Sequence, residues 1–501
     1  MSKENTPVIV GAAQLAWRPE QGPAPDPLSL AAKAVLDAFG QTGAKNAGDG
    51  VDALWVNNIF SWPYADAPGE LAGKLGISPK NTYYAPIGGN TPQTFVGRAA
   101  RVIADGQVDG VLMCGAECAH TARRINKGEV EPGWPEPRIP ERIGDGEGDS
   151  MGTSDAELLY GLVLPMHLYA LFETALRSRL GRTVQGHWEA VGRTLARFSE
   201  IAAQNPHAWH NSARTPEDII TPAPGNPLLC HPYTKRMVAE MNVDMGAAVF
   251  MLSEKRAREL GVDPSAMVYP MGGAELENIW FASRRPSLHD SPAFREASSL
   301  AMAQAGVGVD DLALFDFYSC FPCMVEMARL ELGLPPDDPR DLTVAGGLPF
   351  FGGPFSNYSM HAICSAVERI REDNSLVALV GANGGFNTKH SVGVYGARPG
   401  TEPWGVRDDA GIQARIWESA LPEPVADAGG SLVVEGYAVR YDRTGSPTDG
   451  VVFGRTRRGE RALAALEAPS DELAARLDRD WVGMEFGVRH DSPTGRNIVA
   501  W

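Results

Sequence analysis

The chain has 501 residues, of which 44% are hydrophobic and 21% are charged, and its formal net charge is −17 at pH 7. This composition is ordinary for a soluble globular protein with a large core, and the length predicts roughly three domains. The acidic balance argues against nucleic acid or an anionic membrane as the main partner. It leaves room for a local basic patch that binds a phosphorylated ligand.

The N-terminal residues and the cysteines bear on the cellular compartment. The sequence MSKENTPVIVGAAQ enters a strand pattern at once, without the apolar region of a signal peptide. No apolar run approaches the length that spans a bilayer. Six scattered cysteines suit a reducing compartment better than a disulfide framework. We therefore expect a cytoplasmic protein without a membrane partner.

The first predicted elements alternate between strands and helices. Residues 7–13 form a short apolar strand, residues 26–39 have the apolar spacing of a helix with one buried face, and residues 51–60 form the next strand. Residues 70–120 continue with a helix that ends at Leu-Gly, a Gly-Gly turn, an alanine-rich helix, a strand and a Gly turn. This alternation predicts βαβ units and a parallel or mixed sheet.

The pattern changes within residues 121–251. Residues 128–152 are rich in Gly, Pro, Glu and Arg, which predicts an ordered excursion or a flexible flap. Residues 158–176 are apolar nearly all round and predict a buried helix, whereas residues 187–205 predict an amphipathic helix. An apolar strand is predicted at residues 245–252.

Residues 268–395 repeat the plan of residues 8–120. The order is again strand, helix and strand. Residues 344–395 then give a Gly-rich turn, a helix, an apolar strand and a second Gly-rich turn at residues 381–385. Because the match holds through four consecutive elements, we interpret the chain as two copies of one β-α-β-α-β unit, with residues 121–251 inserted between them.

Beyond residue 399, β-forming residues cluster between turn signals such as Thr-Gly-Ser-Pro at residues 444–447. This pattern predicts a small separate β domain and indicates a barrel. Small barrels often bind nucleic acid, but acidic residues outnumber the arginines in this segment. An interaction or capping module is therefore the favoured interpretation.

A duplicated unit with an insertion between its copies resembles the thiolase superfamily, and the match extends from residue 6 to about residue 395. The motifs that carry it are GQVDGVLMCGAE (106–117), NPHA (205–208), TPED (215–218), Pro-Leu (227–228), MGAA (245–248), DFYSCF (316–321) and the glycine pairs at 346–347 and 352–353. The added β domain, with NGG (383–385) and TKHS (388–391), fits best the subgroup called thiolase-like protein type 1, which is related to the sterol-carrier-protein thiolases.

The resemblance implies a duplicated thiolase fold of five layers, α-β-α-β-α, with an inserted loop domain and a small C-terminal antiparallel β-barrel. The expected domains are residues 1–120 for the N-terminal half, 121–251 for the loop domain returning to that half, 252–399 for the C-terminal half and 400–501 for the barrel. Thiolases usually dimerise, but the extra domain could cover that surface, so the chain is expected to be a monomer or a homodimer.

Thiolases bind coenzyme A and cleave or form a carbon–carbon bond next to a thioester. They use a nucleophilic cysteine, an activating histidine and a second cysteine that moves the α-proton. At the matching positions this sequence has Gly89 for the nucleophile, Gly353 for the histidine and a glycine near 381 for the second cysteine. Tyr318 replaces the histidine of the family's His-Asp-Cys-Phe segment. The resemblance therefore implies that the usual catalytic set is missing and that no acyl-cysteine forms.

Four other side chains are candidates for catalysis. Tyr318 follows a buried strand and would point into the former catalytic cavity, where thiolase-like aldolases carry an acid/base tyrosine; the alternative is a packed tyrosine. His390 and His361 offer an imidazole suited to proton transfer near neutral pH, although either could be structural. Cys320 matches the family's non-nucleophilic cysteine.

The remaining cysteine and histidine patterns are interpreted as structural. Cys320 and Cys323 form C-F-P-C, but the surrounding elements do not match a thioredoxin-like redox site, so two core thiols are favoured. His207 and His210 lack Cys, Asp or Glu partners at metal-binding spacing, so no metal is expected.

The leading hypothesis is a coenzyme A-linked enzyme, with coenzyme A or acyl-CoA as a substrate. It would catalyse retro-Claisen, retro-aldol or acyl-transfer chemistry on a small-molecule acyl or β-keto compound, without an acyl-cysteine. Tyr318 and one histidine would move protons, and amides within residues 381–385 would stabilise an oxyanion. The alternative is a non-catalytic acyl-CoA-binding or scaffold protein. A third possibility is an acetyltransferase whose nucleophile has moved to Cys114 or Cys320.

Overall fold

The structure is a computed structural model that describes residues 5–144, 152–405 and 409–500. The strands are β1 (Pro7–Ala16), β2 (Ala53–Val56), β3 (Asn81–Tyr84), β4 (Gly110–Cys118), β5 (Leu228–His231), β6 (Tyr233–Thr234), β7 (Asp244–Ser253), β8 (Tyr269–Glu277), β9 (Leu314–Phe317), β10 (Ala378–Gly384), β11 (Lys389–Gly396), β12 (Gly430–Tyr441), β13 (Pro447–Thr456), β14 (Arg461–Leu466), β15 (Glu485–Asp491) and β16 (Arg496–Ala500). The helices are α1 (Pro27–Gln41), α2 (Ala67–Leu75), α3 (Thr91–Ala104), α4 (Ala119–Asn126), α5 (Asp155–Leu159), α6 (Pro165–Arg179), α7 (Val184–Gln204), α8 (Pro216–Ile220), α9 (Glu254–Glu259), α10 (Pro292–Ala305), α11 (Pro322–Glu331), α12 (Tyr358–Glu372), α13 (Ala410–Glu418) and α14 (Ser470–Arg476).

The first half of the chain forms a five-stranded sheet in the order β1-β7-β4-β2-β3. Strands β2, β3 and β4 are parallel, and β7 runs antiparallel to both β1 and β4. Every residue of β4 and β7 is buried. Their near-continuous apolar sequences fit this position, because a strand covered on both faces needs no alternation of polar side chains.

The second half forms a four-stranded sheet in the order β8-β11-β10-β9. Strands β9 and β10 are parallel, and β11 runs antiparallel to β8 and β10. In each sheet the first strand lies beside the last one, as β1 beside β7 and β8 beside β11. The strand that follows the central helix comes next (β4 or β10), and the second strand of the unit comes after it (β2 or β9). The same order in both halves confirms the predicted duplication.

Two helices lie between the sheets. Helix α3 packs on β1, β4 and β7 of the first sheet and on β8, β10 and β11 of the second, and α12 likewise contacts strands of both. Helix α1 covers the first sheet from outside, and α10 covers the second. These contacts produce the five layers α-β-α-β-α that the resemblance implied.

The segment between the two halves differs from its prediction in one respect. The single buried helix predicted over residues 158–176 is wrong, because α5 ends at Leu159 and α6 begins at Pro165. Gly161 has a φ of +70° and the proline lies at the first position of α6, so the chain turns between them. Of the predicted flap, residues 128–144 contain no helix or strand, and residues 145–151 lie outside the described residues.

The second Gly-rich turn also lies elsewhere than predicted. Strand β10 extends to Gly384, so most of residues 381–385 belong to the sheet and the turn follows at residues 385–388. Gly381 is required by packing, since an ideal Cβ there would lie 2.7 Å from Cε2 of Phe294.

The C-terminal segment forms the predicted barrel, in the order β13-β14-β16-β15-β12, which the pairing of β12 with β13 closes. One contact, between β14 and β16, is parallel, so the barrel is not wholly antiparallel. Strand β12 also pairs with β5 of the inserted segment. The barrel is thus joined by a β-ladder to the insertion, which sequence periodicity did not predict. Over the described ranges, no helix is both long enough and apolar enough to cross a membrane.

Candidate active site

Three residues from distant parts of the chain meet at the start of α3, in the central layer. Gly89 lies just before this helix, Tyr318 follows β9, and Asn383 lies near the end of β10. An ideal Cβ on Gly89 would collide with the Tyr318 hydroxyl. It would also lie 2.6 Å from the ring carbon Cζ of Tyr318 and 2.5 Å from the carbonyl oxygen of Asn383. The tyrosine therefore occupies the space that a side chain at position 89 would need.

Tyr318 is only partly exposed, and its ring packs edge-on against Tyr358 at 5.6 Å. Its hydroxyl has no hydrogen-bond partner within the part of the chain that the structure describes. Burial, with a smaller contribution from Cys320, raises the pKa of this phenol above its usual value. At neutral pH the side chain is thus a protonated donor that faces Gly89.

Tyr169 of α6 extends from the inserted segment into the same region. Its ring stacks on Phe321 with centroids 4.3 Å apart. The Tyr169 hydroxyl accepts hydrogen bonds from the Asn383 side-chain amide at 2.8 Å and from the Asn387 N–H at 3.0 Å, and it donates to the Gly385 carbonyl at 3.1 Å. Sequence reasoning missed this residue, because within an apolar helix nothing marks one tyrosine as reaching another domain.

Little space is left behind Tyr318. A cavity of about 10 Å³ is lined by Tyr318, Gly381, His390, Ser291 and Phe294, among others. That volume is about enough for one water molecule. A substrate would therefore have to approach Tyr318 from its exposed side.

His390 lies on β11, between β8 and β10, and its side chain is buried. Its Nε2 is 2.8 Å from Oδ1 of Asn387 and 3.1 Å from Oγ of Ser291, whereas Nδ1 has no partner in the described chain. Burial, with a contribution from Arg285, lowers the pKa of His390 to about 3. The histidine is therefore neutral near pH 7, and it lies on a strand that is paired on both sides.

His361 lies on α12 and is fully buried. Its Nδ1 is 3.1 Å from Oε1 of Gln14, and its ring packs against Phe351. Burial, with a contribution from His207, lowers the pKa of His361 to about 3. None of the described contacts of this side chain is with Gly89 or Tyr318.

Cys320 is the one partly exposed cysteine among the six, all of which are free thiols. Its Sγ lies 3.9 Å from Nδ2 of Asn383. Burial raises the pKa of Cys320, and also that of Cys114, to about 12. Cys323 is buried and lies 3.6 Å from the Tyr233 hydroxyl. These thiols are therefore protonated near neutral pH.

Two further features complete the site. Gly353, which the resemblance places at the activating histidine, packs against the inserted segment, where its N–H donates to the Glu240 carbonyl at 2.8 Å. Within the described ranges, no group of three or more His, Cys, Asp or Glu side chains is arranged to hold a metal ion.

The structure of a monomeric SCP2-thiolase-like protein type 1 from Mycobacterium smegmatis matches over 100% of both chains, with 32% sequence identity and a TM-score of 0.85. The chain belongs to the SCP2-thiolase-like protein type 1 family. The family model "Thiolase-like protein type 1 additional C-terminal domain" independently matches residues 411–493, which lie in the barrel segment.

More distant similarities are to thiolases. The 3-ketoacyl-CoA thiolase of Aliivibrio fischeri is 25% identical over 209 residues, which are 38% of this chain and 44% of that protein, so the match spans less than half of the relative. The human mitochondrial 3-ketoacyl-CoA thiolase is 15% identical and matches 78% of this chain and 98% of its own, with a TM-score of 0.56. At that identity the structural similarity shows the fold alone.

Proposed function

We propose that the chain is a coenzyme A-linked, thiolase-like acyltransferase or carbon–carbon bond-cleaving enzyme that works without an acyl-cysteine. Its substrate would be a small acyl or β-keto thioester. Membership of a thiolase-like family and the partial match to 3-ketoacyl-CoA thiolases support the coenzyme A link. The Mycobacterium smegmatis relative is described as monomeric, which favours a monomer over a homodimer.

One observation carries the proposal: the Tyr318 hydroxyl occupies the place of a side chain on Gly89 at the start of α3. The hydroxyl is a protonated donor without a hydrogen-bond partner in the described chain. It lies at the positive end of a 14-residue helix, where negative charge on a thioester or enolate oxygen is favoured. The thiols nearby are protonated, and no side chain can be accommodated at position 89.

The reaction that needs the fewest protein groups at this site is a retro-Claisen cleavage. The sulfur of coenzyme A, having lost its proton to solvent, attacks the β-keto carbon, and the bond between the α- and β-carbons breaks. Its electron pair passes to the enolate of the shorter thioester. Tyr318 hydrogen bonds to the enolate oxygen and donates a proton to the α-carbon, then regains a proton from water.

A second candidate function is the binding of acyl-CoA without turnover. Two observations favour it: the cavity behind Tyr318 holds about 10 Å³, and both candidate histidines are buried and neutral near pH 7. Neither histidine is suited to accept a proton from a bound substrate that remains on the exposed side of Tyr318.

The two candidates differ in turnover. Calorimetric titration with coenzyme A and acetoacetyl-CoA measures binding, and the loss of acetoacetyl-CoA with release of acetyl-CoA measures turnover. We expect Tyr318→Phe to lower turnover at least roughly tenfold, the lower end of a general acid's contribution, while binding stays within twofold.

Tyr269→Phe is the matched control, because this half-buried tyrosine at the start of β8 lies outside the site, and its turnover should be unchanged. Equal turnover in wild type and Tyr318→Phe would remove Tyr318 from the mechanism. Binding without turnover in the wild type favours the second candidate, and no binding excludes both.

A further inference from the structure

A second cavity, of about 370 Å³, lies between α7 and α11. Its volume is within the range of small-ligand sites. Its polar lining consists of Glu173, Arg182, His187, Arg193, Thr194, Glu326 and Arg329. None of the residues assigned above to the Gly89–Tyr318 site lines it, so the two sites are separate.

A buried carboxylate and a buried histidine form the floor of this cavity. Glu173 and His187 are 1% and 2% exposed, and Oε1 of Glu173 lies 2.7 Å from Nε2 of His187. The other oxygen of Glu173 accepts hydrogen bonds from the Tyr233 hydroxyl at 2.9 Å and the Cys323 N–H at 2.7 Å. Every group that approaches this carboxylate can therefore donate a hydrogen bond to it.

The other ring nitrogen of His187 is left without a partner. No hydrogen bond satisfies Nδ1 among the described residues, although the atom is buried. A buried polar atom without a partner costs free energy. Because this nitrogen is enclosed by protein, the groups that can reach a ligand in the cavity are the arginines.

The arginines of the cavity give it a positive balance. Three arginines face two glutamates along the lining, in a chain whose overall charge is −17. Arg329 is held through its side-chain nitrogens by both oxygens of Glu326, which also accept one bond from Arg182 at 2.9 Å. The remaining side-chain donors of Arg182 have no partner in the described chain, and no ion pair joins Arg193 to any described residue.

From this arrangement we propose that the cavity between α7 and α11 binds a small oxyanion, a carboxylate or phosphate group. The free side-chain donors of Arg182 and Arg193 contact its oxygens. Guanidinium groups are suited to such planar or tetrahedral anions, since they present several N–H donors in a fixed geometry. This proposal is independent of the chemistry proposed at Tyr318.

The first test is calorimetric titration of the full chain with inorganic phosphate, and separately with acetate, at ionic strength held constant with chloride. Wild type should bind one equivalent of at least one of the two anions, and the anion that binds more tightly identifies the group recognised. Arg193→Gln should weaken that binding at least roughly tenfold, the effect of losing one hydrogen bond to a charged group.

Arg197→Gln is the matched control, because Arg197 lies one turn further along α7 and is paired with Asp341 at 2.7 Å. Its binding should equal that of the wild type. No saturable binding of either anion, or an equal loss in both arginine variants, overturns the proposal.

Discussion

At the scale of single residues, the site is defined by the close packing of Tyr318 against Gly89. The residue at 89 has no side chain, and the tyrosine hydroxyl occupies the space a side chain would need. The carbonyl of Asn383 closes the same space from another direction. Placing a thiol at position 89 therefore requires more than one substitution, since any Cβ there meets both a side chain and a backbone oxygen.

This close packing predicts that Gly89→Ala is destabilising although alanine is small. The added methyl would have to displace Tyr318 or the backbone at Asn383, and overpacking of this kind costs about 1–3 kcal/mol of unfolding free energy. Gly97→Ala, in the same helix α3, is the control. No atom lies within 4 Å of an ideal Cβ there, so we expect an effect between zero and a stabilisation of about 1 kcal/mol. Urea denaturation of both variants measures the difference, and equal stabilities would contradict the packing described.

At the scale of elements, two buried titratable groups near strand ends have pKa values shifted in opposite directions. On β11, burial lowers the pKa of His390 to about 3. On β4, burial raises the pKa of Glu117 to about 7, although Glu117 accepts hydrogen bonds from the N–H groups of Phe60 and Ser61. The two groups therefore change the stability of the fold in opposite directions as the pH changes.

The sign for each group follows from which state binds the proton more readily. Unfolded His390 is protonated below its usual pKa of about 6.5, and folded His390 is not, so its contribution is present above that pH and is lost as the pH falls. Glu117 binds a proton more readily in the folded state. Its contribution is therefore present at low pH and is lost as the pH rises toward 7.

When the pH falls from 7 to about 5, we expect the unfolding free energy of the wild type to drop by about 2 kcal/mol more than that of His390→Gln. When the pH rises from 5 to about 8, it should drop by about 2–3 kcal/mol more in the wild type than in Glu117→Gln. Urea denaturation across this range gives the two slopes, whatever constant offset each substitution adds. Slopes of the same sign in both variants would contradict the assigned shifts.

At the scale of the whole molecule, the features that could be predicted are those that repeat along the sequence. The repeated order of strands, helices and Gly-rich turns predicted the duplication. Clusters of β-forming residues between turn signals predicted the barrel. Both patterns are local properties of the sequence. The position of Tyr169 and the extension of β10 could not be predicted, since each depends on a tertiary contact. For the same reason Tyr318 was identified by its motif, but its contact with Gly89 was not. The division between α5 and α6 could have been predicted, because Gly161 and Pro165 mark it in the sequence.

The attachment of the barrel is another tertiary feature, and it joins β12 to β5 and to α6. The Tyr437 N–H donates to the Thr174 hydroxyl at 3.0 Å, and that hydroxyl lies 3.0 Å from the Tyr437 carbonyl. Beside them, the buried guanidinium of Arg177 pairs with Asp480 and with the Tyr437 hydroxyl. A barrel bound by a shared ladder and a buried cation should not unfold separately from the rest of the chain.

This attachment predicts one calorimetric unfolding transition for the wild type. Asp480→Ala leaves the cation of Arg177 without its carboxylate, and removing one partner of a buried pair costs about 3–5 kcal/mol. Because Asp480 itself is 28% exposed, we expect a loss at or below the lower end of that range. Glu485→Ala is the control, since its pair with Arg457 lies on the barrel surface, where screening by solvent leaves such pairs little effect on stability. Two separate transitions in the wild type would show that the barrel is an independent unit. Equal losses of stability in the two variants would show that the Arg177 contact does not hold the barrel.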